Sequence, residues 1–287
     1  MSKRLHVLKT CKLYIGGKFS RSESEHYFQV MDKKNEPLAN VCRASRKDLR
    51  NAVQSARKAL SGWSGRSAYN RGQILYRMAE MLEGRREQFT GELETAALTK
   101  ELAKKETDTA IDRLVYYAGW TDKYSALFSS VNPVASPYFN FSIPEATGVV
   151  GALAPDNHPL SGPVSLIAPL IAGGNTCVLL ASEKSGSLAC TLAEVLHSSD
   201  VPAGVVNILT GYRSDIVPHL ATHMDVNAIM CAADDPEQKK NIQKSAHCNV
   251  KRVHFYDGTD WLADESESPY YIMDFQEIKT TWHPVGI

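Results

Sequence analysis

The chain has 287 residues, with 32 basic and 32 acidic side chains, 43% hydrophobic residues and 22% charged ones. That balance describes a globular chain able to bury a large core, excludes intrinsic disorder, and gives no bulk electrostatic pull toward nucleic acid or an acidic membrane. No apolar run reaches the length of a membrane span. The longest, Pro163–Ala172, is interrupted by prolines and ends at Gly173.

Met1–Lys12 is basic without an apolar signal core, so no secretion signal is expected. Lys12–Phe19 is the first strand signal, with Gly16-Gly17 as its turn, and Asp32–Glu36 is a second turn. Ser45 and Asp48 form a capping box, and behind them Leu49, Ala52, Val53, Ala56 and Leu60 share a helical face. A second helix places Ile74, Leu75, Met78, Met81 and Leu82 inward, and a third Ile111, Leu114, Val115 and Ala118. This half is expected to be mainly helical.

At Asn132 the texture changes. Phe139, Phe141 and Ile143 alternate with Asn140 and Ser142 between prolines, the pattern of an exposed edge strand or hairpin arm. From Thr147 strands and helices alternate. Val149–Ala154, Thr176–Ala181, Val205–Leu209, Ala228–Ala232 and Lys251–Phe255 are the strands; Pro159–Ile171 and Ser187–His197 are the main helices between them. Continuous apolar strands between helices predict a doubly wound parallel sheet covered on both faces, with its ligand crevice at the C-terminal strand ends. Asp257–Pro269 is acidic and polar, the nearest thing to a linker. The six cysteines, at 11, 42, 177, 190, 231 and 248, form no CxxC pair. They are read as reduced, buried thiols of a cytoplasmic protein, with no metal site.

Gly148–Leu160 reads GVVGALAPDNHPL, a strand ending in Pro-x-Asn-x-Pro-Leu before a helix. This block, with Ala172–Glu183, Val201–Gly211, Leu13–Lys18 and Tyr116–Trp120, resembles the aldehyde dehydrogenase superfamily in order across residues 12–255. The resemblance implies a Rossmann-like α/β domain with N-terminal helices (12–131 and 147–256). It also implies a small β oligomerisation arm (132–146 and 270–284) and, at 257–269, a linker where the catalytic domain is absent. The family's chemistry uses a cysteine nucleophile, an oxyanion amide, NAD and a glutamate base. By the resemblance, Asn157 is the remnant oxyanion amide, and Pro155, Asn157, Ser182 and Glu183 are remnants of the cofactor site.

The departures lie further on. The ribose-holding lysine is Leu180, the phosphate turn reads Met230-Cys231-Ala232-Ala233, and Tyr256 stands at the glutamate base. A Cβ now stands where backbone would approach a pyrophosphate. The residues after Thr259 contain no cysteine. Tyr270–Trp282 resembles the family's C-terminal interface strand, and the whole resembles the noncatalytic second aldehyde dehydrogenase-like region of the family sixteen members.

Each candidate has a plainer reading. Asn157 would cap the following helix; Glu183 would be a solvated carboxylate; Arg213 would be a surface arginine. His158 has no identified partner, and Cys231 and Cys248 would be inert thiols in or beside core strands. The leading expectation is a noncatalytic domain that associates with a second copy or with a related aldehyde dehydrogenase domain. Phe139, Phe141, Ile143, Phe275, Ile278 and Trp282 would form its interface, with no catalytic residue, no metal, no nucleic acid and no membrane. It would hold no cofactor, or NAD only weakly. Two alternatives are part of an NAD-dependent aldehyde oxidoreductase whose catalytic domain lies on a longer chain or partner, and a dinucleotide sensor without turnover.

Overall fold

The computed structural model describes residues 7–286, so the N-terminal reading of Met1–Lys12 falls partly outside the described residues. The chain opens with β1 (Lys9–Cys11), β2 (Leu13–Ile15), β3 (Lys18–Ser20), β4 (Tyr27–Met31) and β5 (Pro37–Cys42). Helices α1 (Arg46–Ser64), α2 (Ala68–Glu83), α3 (Arg86–Thr95), α4 (Lys100–Trp120) and α5 (Tyr124–Phe128) follow. Then come β6 (Ser130–Asn132) and β7 (Tyr138–Ala146). The alternating half runs β8 (Val149–Leu153), α6 (Ser161–Ala172), β9 (Thr176–Leu180), α7 (Gly186–His197), β10 (Val206–Leu209), α8 (Arg213–Thr222), β11 (Ala228–Cys231), α9 (Pro236–Ala246) and β12 (Arg252–Phe255). A short helix α10 (Tyr270–Met273) and β13 (Gln276–Pro284) end the described chain.

The central sheet has the order β12-β11-β8-β9-β10-β2-β3. Its first five strands are parallel, as the apolar runs predict. The sheet is mixed rather than parallel throughout, because the β2–β3 hairpin joins β10 antiparallel. Gly16 and Gly17 make that hairpin's turn with φ of 59° and 74°, a left-handed pair open to glycine at no steric cost. Alternate residues of the buried strands face opposite ways. Val149, Leu153, Val178 and Leu180 pack with α1, α8 and α9. Val150, Ala152, Cys177 and Leu179 pack with α2, α3, α4, α6 and α7. The Ser45–Asp48 capping box forms as expected at the start of α1.

Several expectations are corrected. The N-terminal half is mainly helical as expected, through α1 to α5, but β1, β5 and β4 add a separate three-stranded sheet that was not expected. Helix α3 carries only Phe89 and Leu93 into the core, too sparse a stripe to announce it. Val115 lies on the solvent side of α4, whose inward stripe instead holds Glu106, Arg113 and Tyr117. Residues 257–269 are no loose linker. Trp261 is buried in the main core, and Arg113 donates to the carbonyls of Trp261 and Ala263 and to Ser266 Oγ, at 3.2, 3.4 and 2.8 Å.

Strand β7 is not an edge. It is the middle strand of a third sheet, β13-β7-β6, with both neighbours antiparallel. β13 pairs within the chain, setting Phe139 opposite His283, Phe141 opposite Thr281 and Asn140 opposite Trp282. A polar ladder runs through this arm. Asn132 Nδ2 donates to Asn140 Oδ1 and Ser142 Oγ at 2.5 and 2.9 Å, and Ser142 meets the Thr280 hydroxyl at 2.8 Å.

Candidate functional site

A parallel sheet of this kind presents its ligand crevice where the strand order reverses. Here that point lies between β8 and β11, because the chain runs outward from β8 to β9 and β10, then returns to β11 on the other side. A crevice of about 900 Å³ opens beside it between α8 and α9, walled by Asp156, Arg213, Val217, Pro218, Asp235 and Ile242.

The residues that close the strand ends are bound to one another. Arg213, 13% exposed, grips Asp156 with both guanidinium arms at 2.9 Å and also donates to the Ala154 carbonyl. Ser182 Oγ donates to the same aspartate at 2.5 Å. Burial works against the charge on Asp156, but the Ser182 hydrogen bond and Arg213 hold its carboxyl below the usual range. Arg213 is thus no free surface arginine.

Three helix N-termini facing this edge already hold a carboxylate. Glu106, 1% exposed, reaches from α4 to accept from the amides of Leu160 and Ser161 at 3.3 and 2.9 Å, at the start of α6. Glu183 accepts from the Arg213 amide at 2.9 Å, at the start of α8. Asp235 accepts from the amides of Glu237 and Gln238 at 3.0 and 3.1 Å, at the start of α9. Such amides, with the positive end of the helix dipole, are what an anionic ligand would otherwise use.

Two readings are corrected here. Glu183 is a helix cap, not a solvated side chain. Asn157 lies exposed in its loop and caps nothing, since Glu106 satisfies the α6 amides. Pro155 and Ser182 are buried at the strand ends beside it. His158 does have acidic partners, Glu106 at 3.1 Å and Asp260 at 3.7 Å. Glu106 and Asp235 were missed as site residues. The signal for Glu106 is a carboxylate on the same helical stripe as Ala103, Ala110 and Leu114.

The remaining candidates are dispersed. Cys231 is buried in β11, its thiol pushed up to about 11 by burial. Cys248 is exposed in a 3-10 turn rather than buried by a strand. Tyr256 donates to Asp274 at 2.6 Å, and burial first, then that aspartate, drives its phenol well above the ordinary range. Among the described residues no cluster of three or more metal-ligating side chains occurs, and no helix is long and apolar enough to cross a membrane. Of the expected interface, Phe139 and Trp282 are 47% and 57% exposed, Ile278 is exposed, and Phe141 and Ile143 are half-buried. Phe275 is fully buried in the main core against His254, so it offers no surface.

Residues 19–259 match the profile described as the aldehyde dehydrogenase family. The putative aldehyde dehydrogenase DhaS of Bacillus subtilis is 33% identical over 261 residues, covering 88% of this chain and 52% of that protein. An aldehyde dehydrogenase of Emericella nidulans is 28% identical, covering 96% of this chain and 54% of that protein. The NAD+ complex of an aldehyde dehydrogenase from Bacillus cereus superimposes with a TM-score of 0.83 at 25% identity, covering 87% of this chain and 51% of that one. HpcC from Thermus thermophilus gives 0.83 at 27% identity, covering 87% and 48%. The chain spans about half the length of the relatives it matches.

Proposed function

The chain belongs to the aldehyde dehydrogenase family, and from that premise we propose that it is a noncatalytic member acting through association with a second copy or a related aldehyde dehydrogenase domain. We infer from its departures at Leu180, Met230–Ala233 and Tyr256 that it resembles the noncatalytic second region of the family sixteen members. The observation that carries this reading is the set of three carboxylates seated on helix N-termini at this sheet edge, Glu183 and Asp235 in the crevice and Glu106 at the start of α6. A dinucleotide's pyrophosphate does not fit there. It would have to displace Asp235 from the α9 amides with Glu183 alongside, and like charges at close range repel. The base position supports the same reading: Tyr256 is buried against Asp274 and the Trp261 and Tyr271 rings, with no carboxylate of its own to activate water. Association draws support from Phe139, Ile278 and Trp282, which present apolar surface on the arm.

Three measurements test it. Light scattering on the whole chain should give a mass above the monomer, or a complex with a related aldehyde dehydrogenase; a strict monomer that binds no such protein ends the reading. Calorimetry with millimolar NAD should give no binding heat; saturable heat would favour the dinucleotide sensor. Aldehyde turnover that survives Cys231→Ala and Cys248→Ala would restore an enzyme.

A further inference from the structure

Two cysteines outside the crevice and the arm face each other. Cys11 ends β1, an edge strand of the small β1-β5-β4 sheet, and Cys190 lies on α7. Lys9 Nζ and Glu194 join the same two elements in an ion pair of 3.2 Å. Lys9 and Cys11 are two residues apart and project to one side of the strand; Cys190 and Glu194 are four apart on one helical face. The ion pair therefore sets Cys11 against Cys190 beneath it, in an apolar cluster with Val30, Ala39 and Val41. Both thiols are buried in that cluster, with Cys11 at the end of β1 and Cys190 on the facing side of α7. The interaction with Cys11 lowers the Cys190 thiol below the ordinary range; the same interaction, then burial, raises Cys11 above it. Burial holds Cys177 and Cys231 in the protonated form, and Cys248 stands apart on the surface.

We propose that Cys11 and Cys190 are a redox-active dithiol that closes to an intramolecular disulfide on reaction with a disulfide oxidant of the glutathione type, stapling β1 to α7. The Cys190 thiolate attacks one sulfur of glutathione disulfide, forming a mixed disulfide and releasing a glutathione thiolate. Cys11 then loses its proton and attacks the Cys190 sulfur, releasing the second glutathione. The two protein thiols lose two electrons and two protons, and the glutathione disulfide becomes two molecules of glutathione. Access comes from local fraying of β1, which among the described residues pairs only with β5.

The test uses the whole chain, incubated with glutathione disulfide at 25 °C, alkylated, and mapped by mass spectrometry. Exposed Cys248 serves as the internal control and should take up glutathione. The expected product joins the Cys11 and Cys190 peptides, and Tm under non-reducing conditions rises by about 5–10 °C, since the bond closes a long loop. Cys11→Ser should leave a persistent glutathione adduct on Cys190, whereas Cys190→Ser should leave Cys11 free. Cys11 and Cys190 both alkylated when Cys248 is fully modified overturns the proposal. So does a glutathione adduct on Cys190 that Cys11 never resolves in the unmutated chain, a readout that depends on no variant folding.

Discussion

At the C-terminal edge of the seven-stranded sheet, Glu106, Glu183 and Asp235 are held on backbone amides, while on the three-stranded arm Phe139, Ile278 and Trp282 turn outward to solvent. The two regions resolve the same constraint in opposite directions. Helix N-terminal amides need acceptors, and at α6, α8 and α9 the protein supplies carboxylates of its own. The arm ties Asn132 and Thr280 to the buried Asn140 and Ser142 in a polar ladder and leaves apolar side chains in water. Apolar surface is thus kept open on the arm, while at the sheet edge carboxylates occupy amides of three helix starts.

The contrast is sharpest if the segment joining the two regions is removed from its anchor. Arg113 is almost fully buried and holds residues 261–266 from α4. Arg113→Ala leaves two carbonyls and the Ser266 hydroxyl without that donor. The expected cost is about 3–5 kcal/mol, a Tm drop on the order of 10 °C in calorimetry. Arg113→Lys should recover only part of it, because all three contacts come from Nη2, at the tip of the guanidinium, and the lysine Nζ ends about one bond short of that point. A drop under about 1 kcal/mol would mean that residues 257–269 are loosely held after all.

The crevice itself breaks more gently. Asp235→Ala removes the α9 cap and should cost about 1 kcal/mol, whereas Asp235→Ser keeps a cap and costs a few tenths. The serine variant removes the carboxylate charge while preserving the fold, so it should gain weak, roughly millimolar NAD affinity by calorimetry. If it stays blind to NAD, the block lies at the Arg213–Asp156 pair instead.

Acid separates the same two regions by a smaller margin. The folded Asp156 carboxyl lies below its ordinary value of 3.8. Its contribution is therefore fully present above about pH 4 and is lost as pH falls through the folded value. Asp156 is partly solvated, so screening limits the term to under about 1 kcal/mol. Denaturant midpoints at pH 6 and pH 3 should fall further apart in the parent chain than in Asp156→Asn; equal spacing would remove Asp156 from the acid response.

What the amino-acid order displayed was whatever is decided locally. The Ser45–Asp48 cap, the Gly16-Gly17 turn and the apolar runs of β8 to β12 all form where expected, because their determinants lie within a few residues. The misread features depend on distant partners. β7 looks like an edge because β13, which covers its other side, comes from the far end of the chain. Asn157 stands in a capping position, yet Glu106 from α4 takes the amides. Asp257–Pro269 is polar in composition, but Arg113 and the socket around Trp261 order it. The family blocks around residues 148–211 were legible, and the filling of the crevice was not, since a carboxylate's partner cannot be read from its own neighbours.

The smallest effect on stability should accompany the largest effect on association. Phe139 and Trp282 are about half exposed, and they lie on opposite faces of the arm, since Phe139 pairs with His283 and Trp282 with Asn140. Replacing either by Ser removes little buried area, so Tm should move by less than about 2 °C. If the arm is the contact, one of these substitutions should lower the mass in light scattering to that of the monomer, and the face it lies on identifies the covered side. Tyr138 packs edge-on against Trp282, so Trp282→Ser also frees that ring, and Tyr138→Ser should reproduce its effect. Masses unchanged by all three variants would place association elsewhere, and the exposed arm would then be ordinary surface.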